Sequence, residues 1–263
     1  MGRFKEALRK LVRPNNNNNS GSSSAQQQPL RTQQNQTEQE TGGPQVKPID
    51  QLEHTFGASS GDASLPQFQL VGNDPTFNSA VPPEYFQQWM TMIVNVLTYY
   101  LFFTPSDRPH RTLIRIILED MDGVAYTVNN GSGRDTHIST RFLRKIPQNQ
   151  LYMMVSGIIL HECVHSFQNN SGAPGYIIEI FADFCRLKSG CADPSWSRQF
   201  NTYKNGYSEG AYFFDYINTR YPGFVKNLNL KMANPWTDDF IVQLSGGETI
   251  DQLWNDYKKA YGH

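Results

Sequence analysis

From Leu151 to Leu160 the chain is apolar almost without a break, and it runs directly into His161-Glu162-Cys163-Val164-His165. A helix that is apolar all round must be covered on every side, so the rest of the fold has to be built around this one. Gly157 costs such a helix stability and, lacking a Cβ, lets another backbone come close. Met154, Ile158, His161 and His165 fall on one stripe, so the two histidines continue a core-facing row. Buried imidazoles need partners. Histidines four apart stand one turn above each other, the spacing at which two imidazoles bind one Zn²⁺. Glu162 is rotated by about 100° from His161. It therefore stands beside such a metal rather than on it, where it can take a proton from metal-activated water. HExxH arises by chance in about one chain in a hundred. Two histidines hydrogen-bonded in a core are the plain structural alternative. The surroundings decide between them.

A catalytic zinc site needs a third protein ligand and an open position. Residues 174–187 read as a second helix with the apolar stripe Tyr176, Ile180, Phe184 and Leu187. Glu179 and Asp183 lie one turn apart on a different face. Two like charges at that spacing destabilise an isolated helix, so something positive is expected to face them. Glu179 is the expected third ligand, and Asp183 the carboxylate that accepts a hydrogen bond from a ligating imidazole. The reverse assignment of these two acids stays open on sequence alone. The Asn, Ser, Gly and Pro residues of segment 166–174 mark a turn that folds the second helix back on the first.

Several blocks in order, HECVHSFQ, APGYIIEIFADFCRLKSG, NGYSEGAYFFDYI, GFVKNLNLKM and ETIDQLWNDYKKAYG, with DMDGVAYTV and HISTRF upstream, resemble one known family. It is the basic secretory protein family, also called the peptidases of plants and bacteria, which has fungal relatives. The resemblance extends from about Phe77 to Tyr261. It implies an α+β, zincin-like metallopeptidase domain: a small mixed sheet with an edge strand, an HExxH helix and a mainly helical C-terminal part. It places His161, His165 and Glu179 at the metal-ligand positions and Glu162 at that of the general base. Its GY block points to Tyr207, with Tyr212 second, as a hydroxyl aimed at a developing oxyanion. By analogy with zincins, the strand just before the metal helix, read at 136–142, is the edge that pairs with extended peptide. The chain departs from the family pattern at Ile180, where glycine usually follows the acid, and at Tyr203, where tryptophan is common.

The remaining sequence sets the frame. Formal net charge is −1, which gives no global case for nucleic-acid binding, and no apolar run reaches the length of a membrane-spanning helix. Residues 1–13 carry five basic residues against Glu6 and form a short amphipathic start without an apolar secretory core. Residues 14–66 are rich in Asn, Gln and Ser and read as a disordered tail, with the folded domain at 67–263. A helix is expected from Pro82 to about Phe103, strands at 112–118 and 124–128 joined by a tight Asp122-Gly123 turn, and short C-terminal helices, the last opened by Thr249 and Gln252. His137 reads as a surface strand residue. Cys163, Cys185 and Cys191 are an odd three without a signal peptide, which favours a reducing, cytoplasmic setting, although the family name suggests export. A Cys185–Cys191 link is geometrically conceivable.

The expectation is a zinc-dependent peptidase acting on peptides or proteins, with Glu162 as base. A metal-dependent hydrolase selective for glycopeptides and a non-enzymatic stress or interaction protein with a vestigial site are the alternatives. Composition is silent on oligomeric state.

Overall fold

The computed structural model describes residues 65–263. The basic amphipathic start and the tail up to residue 64 lie outside the described residues. The domain opens with β1 (Gln67–Val71), followed by α1 (Pro75–Ala80) and α2 (Phe86–Leu101). Three more strands follow: β2 (Leu113–Glu119), β3 (Ala125–Asn130) and β4 (Gly133–Ser139). The chain then continues in helices: α3 (Thr140–Leu143), α4 (Leu151–Phe167), α5 (Gly175–Lys188), α6 (Tyr207–Arg220), α7 (Phe224–Lys231), α8 (Asp239–Leu244) and α9 (Ile250–Ala260). The sheet order is β1-β2-β4-β3, with β1, β2 and β4 parallel and β3 antiparallel to β4. The result is a small mixed sheet with a helical C-terminal half.

Helix α4 is the centre, as its composition demands. Of its side chains only Met153, His161 and His165 keep some exposure. The sheet's inner face, with Ile114, Ile116 and Ile138 buried, lies on one side, and α2 and α5 close the others. The Trp89 indole N–H on α2 donates to Ser156 Oγ on α4 at 3.3 Å, which satisfies two buried polar groups in one bond. Gly157 does what its position suggests. A Cβ there would stand 2.3 Å from the Cys191 carbonyl oxygen and 2.6 Å from Arg186 Nε, so only glycine lets that segment press against α4. A second close approach answers the family departure at Ile180. Its side chain fills the space over Gly210 of α6, where a Cβ would come within 2.0 Å of Ile180 Cγ1. The larger residue on α5 is received by the absence of one on α6.

Helix ends follow local chemistry. Asp74 caps α1 by accepting from the Thr76 and Phe77 backbone N–H groups, and Thr249 and Gln252 form the expected capping box on α9.

Four expectations are corrected. The Asp122-Gly123 turn does not join a β2–β3 hairpin, because β3 pairs with β4 and β4 inserts between β3 and β2. A parallel β2–β4 pair requires a crossover, and β3 is that crossover; the hairpin is closed instead by the Asn130–Gly133 pair. The strand preceding α4 is accordingly not an edge: β4 is hydrogen-bonded on both sides, and the edges are β1 and β3. That strand also stops at Ser139, whose side chain accepts from the Phe142 N–H and starts α3 where strand had been expected to continue. The cysteines are all buried free thiols, so no Cys185–Cys191 link is formed. No helix among the described residues is long and apolar enough to cross a membrane.

Candidate metal centre

Helices α4 and α5 pack so that the four predicted polar residues of their facing sides meet. His161 Nε2 lies 3.1 Å from His165 Nε2 and 3.1 Å from Glu179 Oε2, and His165 Nε2 lies 3.7 Å from the same oxygen. Tetrahedral zinc with bonds of about 2.0–2.1 Å would separate its ligand atoms by about 3.3 Å. The two nitrogens and one oxygen therefore fit such an ion, and they form the one ligand cluster found among the described residues. Asp183 stands elsewhere. Its Oδ1 meets His161 Nδ1 at 2.6 Å, on the far side of the ring from the cluster. Glu179 thus stands with the two Nε2 atoms, and Asp183 at the other nitrogen of the His161 ring. A proton held on Nδ1 by Asp183 leaves the Nε2 lone pair facing the cluster. Gln168 meets the other ring with its amide nitrogen, 2.9 Å from His165 Nδ1, while its amide oxygen is buried without a partner; turned over, the amide would accept from Nδ1 as Asp183 does for His161.

The cluster sits in the wall of a cavity of about 650 Å³. Val124 to Thr127 of the β3 side form one wall, and Ile158, Arg186, Trp196 and Tyr207 complete it. Glu162 is buried, and its Oε2 accepts from Thr127 Oγ1 at 2.8 Å. Tyr207 is half exposed, and its ring lies parallel to that of His161, with centroids 6.3 Å apart. It follows Gly206 at the start of α6 and has a φ of 44°, the one positive value at a non-glycine residue among those described. Strain of this kind persists where the surroundings over-determine it. Here it presents the phenol to the cavity. Tyr212, the second candidate, packs beneath Arg198 and is not part of the wall. His137 lies on the outer face of the sheet, stacked on Tyr126 and bonded to Glu119.

Charge in the cluster is strongly polarised. Burial works to lower the His161 pKa, but its hydrogen bonds to Asp183 and Glu179 outweigh this and raise it to about 9. Burial, with His161 beside it, pushes His165 down to about 4. Glu162 is raised by burial, partly offset by His161 and Thr127. Glu179 is raised by burial and lowered more by the two histidines, for a net lowering. The charge on Glu179, then burial, keeps the Tyr207 hydroxyl protonated as a donor.

A stability profile follows for the metal-free chain. The raised pKa of His161 contributes stability that is fully present below its unfolded value near 6.5 and is lost as pH rises through about 9. His165 acts in the opposite sense as pH falls towards and below about 6.5, where the unfolded chain takes up its proton first. Between pH 6.5 and 8.5 the chelated protein should therefore lose about 2 kcal/mol. Thermal melts across that range check this. A melting temperature that stays level would mean His161 is not held as a cation.

Two histidines and a glutamate that could hold a metal ion are gathered beside a further glutamate in the wall of a cavity in a mixed α/β domain. Residues 73–257 match the family model described as peptidase of plants and bacteria, and the chain belongs to that family. No curated protein matches the chain, and no solved structure does.

Sequence reasoning missed Thr127, Gln168, Arg186 and Trp196. Gln168 was within reach, since it lies one helical turn beyond His165. Thr127 and Trp196 carry no periodic signal and reach the cavity only through tertiary folding.

Proposed function

We propose that this protein is a zinc-dependent peptidase whose metal is held by His161, His165 and Glu179 and whose general base is Glu162. The observation that carries the proposal is the gathering of two imidazole nitrogens and one carboxylate oxygen within 3.1 to 3.7 Å of one another in a cavity wall. Membership in a peptidase family supports the same reading. A bound Zn²⁺ would act there as a Lewis acid, polarising the scissile carbonyl and lowering the pKa of water.

The protein groups would do the rest. Asp183 holds the His161 ring through Nδ1, so that its Nε2 is presented to the metal, and Gln168 packs its amide against Nδ1 of His165. Glu162 accepts the proton of the attacking water and later delivers it to the leaving amine. The Tyr207 hydroxyl donates to the carbonyl oxygen as negative charge develops on it. An extended substrate is best received along β3. It is the sheet edge beside the cavity, and Val124, Tyr126 and Val128 are exposed along it.

The test is metal content and turnover on the full chain. Elemental mass spectrometry after mild dialysis should find about one zinc per chain. Cleavage of a mixed peptide library should cease on chelation and return with added zinc. A chain that holds no metal and gains no melting temperature from zinc would instead be an interaction protein.

A further inference from the structure

We infer that Thr127 is a positioning residue for the general base: its hydroxyl occupies one oxygen of Glu162 and so selects the other as the atom that takes the proton. The inference rests on Glu162 being the base, as proposed above. Thr127 Oγ1 lies 2.8 Å from Glu162 Oε2, 2.9 Å from Thr136 Oγ1 and 3.3 Å from the Glu162 backbone oxygen. A threonine hydroxyl has one proton to give. The carboxylate is both the nearer and the ionised acceptor, and charge-assisted bonds are the stronger ones. Thr127 therefore donates to Oε2, and Thr136 must donate to Thr127. The order Thr136 to Thr127 to Glu162 is fixed in one direction.

Each link is held by the fold. Thr127 and Thr136 are directly opposed in the antiparallel β3–β4 register, so their side chains share one face of the sheet. Thr136 is completely buried. The face they share is the one turned towards α4, where Glu162 sits. No donor among the described residues bonds Glu162 Oε1, which leaves it as the basic oxygen. A carboxylate with both oxygens unrestrained would rotate about its last bond and present the base only part of the time. Because Thr127 belongs to the edge strand, the strand that forms a wall of the cavity also aims the base.

The experiment compares Thr127→Val, Thr127→Ala, Thr127→Ser and Glu162→Gln in the full chain, with peptide hydrolysis, metal content and melting temperature read for each. Valine keeps the β-branched shape suited to a strand and removes only the hydroxyl; serine returns it. Thr127→Val and Thr127→Ala are expected to keep zinc and to lose about 10- to 100-fold in kcat, with KM changed by less than about threefold. Thr127→Ser should recover to within about threefold of the parent. The inference is overturned if Thr127→Val or a folded Thr127→Ala turns over like the parent. It is also overturned if the loss lies in KM or metal content, or if Thr127→Ser fails to recover. A different pattern would sink the underlying reading instead: a zinc-loaded parent chain that cleaves nothing, or a fully active Glu162→Gln.

Discussion

Glu162→Gln is expected to bind zinc as the parent chain does and to hydrolyse peptides roughly 10²–10⁴ times more slowly. Glutamine has the same shape and can still accept from Thr127, so the wall between β3 and α4 is preserved. What disappears is an oxygen basic enough to take a proton. Burial is already the chief influence raising the Glu162 pKa, so a neutral amide is easier to keep at this position than a carboxylate. Melting temperature should therefore hold or rise while kcat collapses. A structural glutamate would give the opposite pattern, with stability lost and no specific effect on turnover. Full activity in this variant would remove Glu162 from the mechanism.

Much of the candidate site was legible because it lies on two helices. Helical spacing carries side-chain direction: His161 and His165 one turn apart, and Glu179 and Asp183 one turn apart, were bound to share faces once each helix formed. The near-unbroken apolar run before His161 announced the buried central helix, and Gly157 announced a close neighbour, found at Cys191. What sequence could not separate was the role of the two acids. Both lie on one face of α5, and only the position of the His161 ring puts Glu179 at Nε2 and Asp183 at Nδ1. Strand order was misread for a related reason. The β2, β3 and β4 segments were each visible as strand formers, but their neighbours are set by which pairs bury Ile114, Ile116 and Ile138 against α4, and that is a property of the assembled core. Thr127 was invisible for the same cause: its importance lies entirely in what stands across from it.

The most damaging single change to the cluster should be His161→Ala, because His161 touches every other member. Its Nε2 lies 3.1 Å from both His165 and Glu179, and its Nδ1 is bonded to Asp183 at 2.6 Å. Truncation removes a proposed ligand atom and also strands Asp183, which is 2% exposed and, among the described residues, keeps only Arg186 Nη1 at 4.0 Å as a charged partner. Removing one partner of a buried pair costs roughly 3–5 kcal/mol. The variant should therefore hold no zinc after dialysis, gain no melting temperature when zinc is added, and show no hydrolysis. Asp183→Asn should be milder. The imidazole remains and loses only the group that orients it, a change that costs about 10- to 100-fold in metal affinity. Measured side by side by zinc titration, the two variants rank a ligand against its support. Normal zinc uptake by His161→Ala would refute the ligand set. Zinc lost in Asp183→Asn but retained in Glu179→Ala would exchange the roles of the two acids, which geometry separates by the two nitrogens of one ring.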